Sequence, residues 1–229
     1  MDSDANVIVV ATGNAHKVTE IAAILGTSGL PYRFVPVTEL VDDYVFPEET
    51  GTTFAENALI KARAALAATG LPALADDSGL VVDALDGRPG VYSSRFAGPA
   101  EDDAANNAKL LRELDDVVAR HAPERPHPAQ APADAPGAYI PPVDTRVSRS
   151  ARFVCTLVLA EPDGSTLTTS GTVQGTIAYS PRGNAGFGYD PLFLPDDTPG
   201  KTMAQLSAAE KNAISHRSRA LASLARVMC

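Results

Sequence analysis

A chain of 229 residues with 45% apolar content is long enough to bury a full core, which excludes a disorder-dominated protein and fits one large α/β domain or two lobes sharing a sheet. A formal net charge of −9 excludes the basic face that a duplex nucleic acid partner calls for, although a small phosphorylated ligand needs only a few local cations. Two cysteines do not make a disulfide framework, and the apolar run after the acidic start is too short for a signal peptide or a membrane span, so the expectation is a soluble, cytoplasmic protein.

Val7-Ile8-Val9-Val10-Ala11 is a continuous run dominated by β-branched residues and reads as a buried strand. Thr12-Gly13-Asn14-Ala15-His16-Lys17 follows at once. Val18, Ile21, Ala22 and Leu25 then recur at helical spacing, with Asn14 as N-cap and Gly26 as stop. A strand, a glycine turn and a helix N-terminus make an anion site, because free N–H groups and the positive end of the helix dipole converge there. The turn carries neither a Walker nor a dinucleotide glycine pattern, and Thr-Gly-Asn is equally a routine capping sequence.

Leu30 to Val45 reads as a second strand and an acidic connection. In Glu48-Glu49-Thr50-Gly51-Thr52-Thr53-Phe54-Ala55-Glu56-Asn57, Thr53 and Glu56 form a capping box. Ala55, Leu59, Ala62 and Leu66 supply an apolar stripe that runs to Gly70. Asn57 and Lys61 stand at i,i+4 on a different face and can reach one ligand together. Glu48 or Glu49 is either a favourable charge before the helix or a metal ligand.

Ala75-Asp76-Asp77-Ser78-Gly79-Leu80 reads as two carboxylates on a Ser-Gly turn at a strand end, open to solvent and suited to Mg²⁺. The alternative is an ordinary solvated turn. Asp86 to Gly98 is a glycine-punctuated loop with two arginines, suited to crossing between lobes beside a site. A helix from about Asp102 to Arg120 turns Leu110, Leu111, Leu114, Val117 and Val118 inward. Residues 121–148 form a Pro/Ala-rich insert without apolar periodicity, expected to be flexible.

Ala151 to Leu159 reads as a strand ended by a Pro162-Asp163-Gly164-Ser165 turn, with Thr166 to Thr169 and Thr172 to Tyr179 as hairpin partners. In Gly186-Phe187-Gly188-Tyr189-Asp190-Pro191, glycines flanking an aromatic let a flat base lie against Phe187, or let the ring plug the core. A last helix with a second capping box, Ser207 and Glu210, runs to about Val227. On it Lys211, His216 and Arg217 are either a solvated face or part of a phosphate site.

Five of these stretches together resemble one family: Thr12 to Lys17, the Glu48 to Ala58 block, Ala75 to Leu80, Gly186 to Pro191 and Ser215-His216-Arg217. They are similar, in the same order and across nearly the whole chain, to the inosine/xanthosine triphosphate pyrophosphatase (Ham1/RdgB) family. The resemblance implies a single α/β domain over residues 1–229. Its long mixed central sheet is flanked by helices, and an active-site cleft separates two lobes. It implies a homodimer and Mg²⁺-dependent hydrolysis of ITP, dITP and XTP to the monophosphate and pyrophosphate, which keeps these nucleotides out of DNA and RNA. It places Thr12, Gly13, Asn14, Ala15, His16, Lys17, Ser78, Phe187, Gly188, Tyr189, Asp190, Lys211, His216 and Arg217 on substrate, and Lys61 joins them because the pyrophosphate needs cations, as Lys17 and Lys211 do. Asp77 is implied as proton acceptor and metal ligand, with Glu49 preferred over Glu48 as the second carboxylate. For the purine edge, a donor region made of His216, Arg217 and the Phe187-Gly188 backbone is expected. Two rival readings remain: an enzyme for another modified nucleotide, and a nucleotide-binding regulator without turnover.

Overall fold

A computed structural model describes residues 7–26, 31–121 and 147–228. Most of the Pro/Ala insert therefore lies outside the described residues, as do the side chains of Ala15 and His16. The β-branched run Val7–Val10 is the fully buried strand β1. It pairs in parallel with β2 (Arg33–Pro36) and with β3 (Ala73–Val82). Beyond β3 the pairing turns antiparallel through β4 (Ser150–Ala160), β5 (Thr166–Ile177) and β6 (Phe193–Pro195). The result is the expected α/β fold, a mixed six-stranded sheet in the order β2-β1-β3-β4-β5-β6.

Helix α1 (Ala15–Leu25) begins one residue after Asn14, whose Oδ1 accepts from Lys17 N–H at 3.1 Å, the N-cap bond expected from the sequence. Helix α2 (Phe54–Thr69) starts at a complete Thr53/Glu56 capping box and ends at Gly70 with φ +71°. Its inward face is the expected one in part, with Ala62 buried and Leu59 and Leu66 packed against the same cluster. Ala58, Ala62 and Ala65 are buried together with Asn57 and Lys61, while Ala55 is exposed. Small side chains let the helix lie close on the sheet, so the two polar residues ride into the interior with the alanines. Helix α3 (Asp103–His121) buries Leu110, Leu114 and Val117 as its spacing predicts.

Three expectations are corrected. Asp76 to Gly79 is not a turn but the middle of the ten-residue strand β3, because β4 pairs with every residue from Ala73 to Val82 and Asp77 lies opposite Thr156. Thr166 to Tyr179 is no hairpin: β5 runs unbroken through Ser170 and Gly171 against β4. Gly171 serves there to admit the backbone of the last helix. A Cβ at that position would meet His216 O at 2.2 Å and Ala220 N at 2.4 Å. Finally, the last helix is two, α4 (Ala208–Ile214) and α5 (His216–Met228), broken at Ser215 where ψ is 153°. Ser215 Oγ accepts from Ser218 N–H at 3.1 Å and restarts the helix, as an N-cap serine does.

Candidate active site

Strand alternation explains how two adjacent carboxylates acquire different environments. Side chains of β3 point to opposite faces in turn. Ala73 and Ala75 pack under α2, whereas Leu74 packs with Ile21 of α1 and Leu221 of α5. Asp77 therefore faces α2 and Asp76 faces α1 and α5. Beyond Leu74, β1 no longer pairs with β3, and among the described residues no strand ladder covers Ala75 to Leu80 on that side. The cleft opens there, at the carboxyl end of β1, where open α/β sheets place their ligands.

Asp77 Oδ2 accepts from Asn57 Nδ2 at 3.2 Å and Oδ1 from Lys61 Nζ at 3.2 Å. Burial pushes its pKa up, against the opposing pull of Lys61, and the nearby Glu49 charge adds to the rise. Lys61 Nζ also donates to Glu49 Oε1 at 2.6 Å. Burial works against the charge on Lys61, but the Asp77, Asp76 and Glu49 carboxylates outweigh it and its pKa is raised. Glu49 is buried enough to push its pKa up, yet Lys61 prevails and holds it below the ordinary value. Arg95, from the loop after β3, approaches the other Glu49 oxygen at 3.5 Å and its carbonyl at 3.3 Å. Glu48 is exposed beside it.

On the opposite face Asp76 is wholly buried. Burial alone would raise its pKa, but Lys17 at 3.1 Å and the Arg217 guanidinium hold it well below the carboxylate range. Arg217 is itself fully buried and ion-paired to Glu20 of α1. It also reaches Ser78 Oγ at 3.1 Å. Lys211 Nζ lies 2.7 Å from Asp190 and 2.8 Å from Glu20, with the Phe187 ring centroid 4.6 Å away. The basic trio is thus a buried cluster, not a solvated face.

His216 stacks on Phe153, the ring centroids 4.9 Å apart. Burial is the main cause that drives its pKa well below the ordinary histidine value, and the Arg217 and Lys211 charges add to it. The aromatic loop is pinned on all sides. Tyr189 Oη donates to Ser93 O at 2.9 Å, Phe187 N–H to Asp190 Oδ2 at 3.0 Å, and Gly188 N–H to Asp103 Oδ2 at 2.6 Å. The expectation that the Phe187-Gly188 backbone offers donors to a purine edge is therefore corrected: both N–H groups already serve carboxylates.

These groups surround one cleft of about 790 Å³, lined by every residue with a described side chain that the resemblance places on substrate or metal, while Asn57 and Asp76 lie buried behind its wall. The elements divide the cleft chemically. At one end lie Thr12 to Lys17, Glu49, Lys61 and Asp77, a helix N-terminus with lysines and carboxylates suited to phosphates. At the other lie Phe187, Lys211 and His216, suited to a flat polar ring. Among the described residues no group of three or more His, Cys, Asp or Glu side chains could hold a metal. Two carboxylates nonetheless fit Mg²⁺, which takes one or two carboxylates and completes its shell with substrate phosphates and water. Arg95 comes from the loop expected beside the site, whereas Glu20, Asp103 and Asn107 carry no signal in the sequence. Each touches the site across a long sequence separation, and a single chain read in order carries no signal of such contacts.

A family model described as the Ham1 family matches residues 8–126 and 139–227. The dITP/XTP pyrophosphatase of Geobacter sulfurreducens is 50% identical over 219 residues, spanning 95% of this chain and 94% of that protein. The dITP/XTP pyrophosphatase of Streptomyces coelicolor is 42% identical, with 96% of each chain covered. Among solved structures, the HAM1 protein from Coxiella burnetii superposes with a TM-score of 0.76 at 40% identity, covering 97% of this chain and 98% of that one.

Proposed function

The chain belongs to the Ham1 family, and from that premise we infer that it is a nucleoside triphosphate pyrophosphatase. Its substrates are the deaminated purine nucleotides ITP, dITP and XTP, its products the monophosphate and pyrophosphate, and its role the clearing of these nucleotides from the pool. The observation that carries this reading is Lys61 held between Asp77 and Glu49, facing the α1 N-terminus in one cleft with the Phe187 ring.

Hydrolysis requires water to attack the α-phosphorus, its proton to be accepted, and the bond to the pyrophosphate oxygen to break. Asp77 takes the proton. Asn57 and Lys61 fix its orientation. Lys17 and the α1 N–H groups bind phosphate oxygens, and Lys61 stabilises the charge that develops on the pyrophosphate. Ser78 is fixed by Arg217 at the cleft wall, within reach of substrate. Asp77 and Glu49 would hold Mg²⁺, which when bound neutralises phosphate charge and polarises the phosphorus. The base lies against Phe187, flanked by Lys211 and His216, with Tyr189 and Asp190 shaping the wall. Arg217 acts from beneath, through Asp76 and Ser78.

The remaining proposals concern setting. The residues form a single domain of two lobes on either side of the cleft, with residues 121–148 as a flexible insert, and two copies form a homodimer. No described helix is long and apolar enough to cross a membrane. Cys155 is a buried free cysteine whose thiol pKa burial pushes up to about 12, and the setting proposed for the protein is the cytoplasm. The test is pyrophosphate release from ITP, XTP, dITP, GTP and ATP, with Mg²⁺ and with EDTA. Fast, metal-dependent release from the first three is expected, and inertness of all five would overturn the enzyme reading.

A further inference from the structure

No helix or strand spans residues 178–192, the segment that presents Phe187 to the cleft. Three of its glycines, Gly183, Gly186 and Gly188, sit at φ +80°, +77° and +61°. Glycine has more backbone freedom to lose than any other residue, so this segment needs outside anchors to hold one shape. At its tip the anchors come from α3. Asp103 Oδ2 accepts from Gly188 N–H at 2.6 Å, and Asn107 Nδ2 donates to Gly188 O at 2.8 Å. The same amide nitrogen donates to Asp103 O at 2.7 Å, which ties the two gripping residues to each other. Asn107 is only 7% exposed, whereas Asp103 is at the surface.

We propose that Asp103 and Asn107 are specificity-determining positioning residues, which lock the peptide groups of Gly188 and so hold the Phe187 platform in the shape that accepts a 6-oxopurine. This inference rests on the function proposed above. A 6-oxo and a 6-amino purine present opposite hydrogen-bonding edges, and a site rejects the wrong one only if its groups cannot move to re-pair. A glycine-rich tip free to shift by about an ångström would follow either edge, because a site holds its geometry only as well as its supporting shell does. The lock also explains why both Gly188 hydrogen-bonding groups are consumed by side chains more than eighty positions away in the chain. They serve to hold the tip.

Steady-state kinetics with ITP and with ATP test this on wild type, Asp103→Ala, Asn107→Asp, Asp103→Asn and Val117→Ala. Asp103→Ala removes the acceptor for Gly188 N–H, and Asn107→Asp sets an acceptor against Gly188 O. Both are expected to raise KM for ITP about tenfold with kcat within about threefold, and to lower the ITP-over-ATP ratio of kcat/KM about tenfold. Asp103→Asn keeps an acceptor oxygen and is expected to return the ratio to within about threefold of wild type. Val117→Ala weakens α3 far from the tip and is expected to lower Tm with the ratio unchanged. Ratios within about twofold of wild type in folded Asp103→Ala, or an equal loss in Val117→Ala, would overturn the proposal. Should Asn107→Asp not fold, the exposed Asp103→Ala decides alone. Wild-type turnover is read first: its absence overturns the proposed function and this inference with it, whereas an unchanged ratio beside intact turnover overturns the inference only.

Discussion

Arg217 grips a single oxygen of Asp76 with two nitrogens, Nε at 3.3 Å and Nη2 at 3.1 Å, and both side chains are almost completely buried. Neutralising one member of such a pair leaves the other charge buried without compensation, which typically costs about 3–5 kcal/mol. Asp76→Asn is therefore expected to lower the unfolding free energy by that amount, measured by urea denaturation. A loss under about 1 kcal/mol would mean that Glu20 alone compensates Arg217.

Asp77 has a different fate, although it is the neighbouring residue. Asp77→Asn keeps its volume and one of the two acceptor oxygens that Asn57 and Lys61 use, and Lys61 retains Glu49, so the fold should persist. The proton acceptor disappears. Turnover of ITP is expected to fall by about 10²–10⁴-fold with thermal stability near that of wild type. Activity within about threefold of wild type would exclude Asp77 from both proposed roles.

These two aspartates show what the sequence reveals and what it hides. Capping boxes at Thr53 and Ser207 and the Asn14 cap were legible because each depends on residues two to four positions apart. The turn assigned to Asp76-Asp77-Ser78-Gly79 follows equally from local chemistry, since all four are turn formers. Tertiary pairing overrode it: β4 lies alongside, and its partner residues are about eighty positions away. The same holds for the face of α2, where Ala58 and Ala65 are buried and Ala55 is exposed, and for the helix break at Ser215, whose cap only makes sense once α5 rests on β5. The residues that line the cleft were legible as motifs. The contacts that set their charge states, Glu20 with Arg217 and Arg95 with Glu49, were not.

Gly171 tests the fit of α5 against β5. A methyl group there would stand 2.2 Å from His216 O and 2.4 Å from Ala220 N, and backbone atoms cannot swing aside. Gly171→Ala should destabilise by about 1–3 kcal/mol, as overpacking does. In a domain of this size that is a Tm fall of at least about 2 °C, read by calorimetry. Because α5 carries His216 and Arg217, kcat/KM for ITP should fall with it. A variant with unchanged Tm would show that α5 can slide on the sheet.

His216 makes stability depend on pH in a direction that can be derived. Burial, reinforced by Arg217 and Lys211, depresses its pKa in the folded chain well below the ordinary value of 6.5. Between the two pKa values the unfolded chain binds the extra proton and the folded chain does not. Its contribution is thus fully present above about pH 6.5 and is lost as pH falls, by about 1.4 kcal/mol per unit. Urea unfolding of wild type should show about 1.4 kcal/mol of loss between pH 7.5 and 5.5 from this group. His216→Phe keeps a ring against Phe153 and has nothing to titrate, so the difference between the two acid slopes isolates the imidazole. Equal slopes would mean that the folded protein accepts the proton on His216, with Asp76 or water reaching the ring to stabilise it.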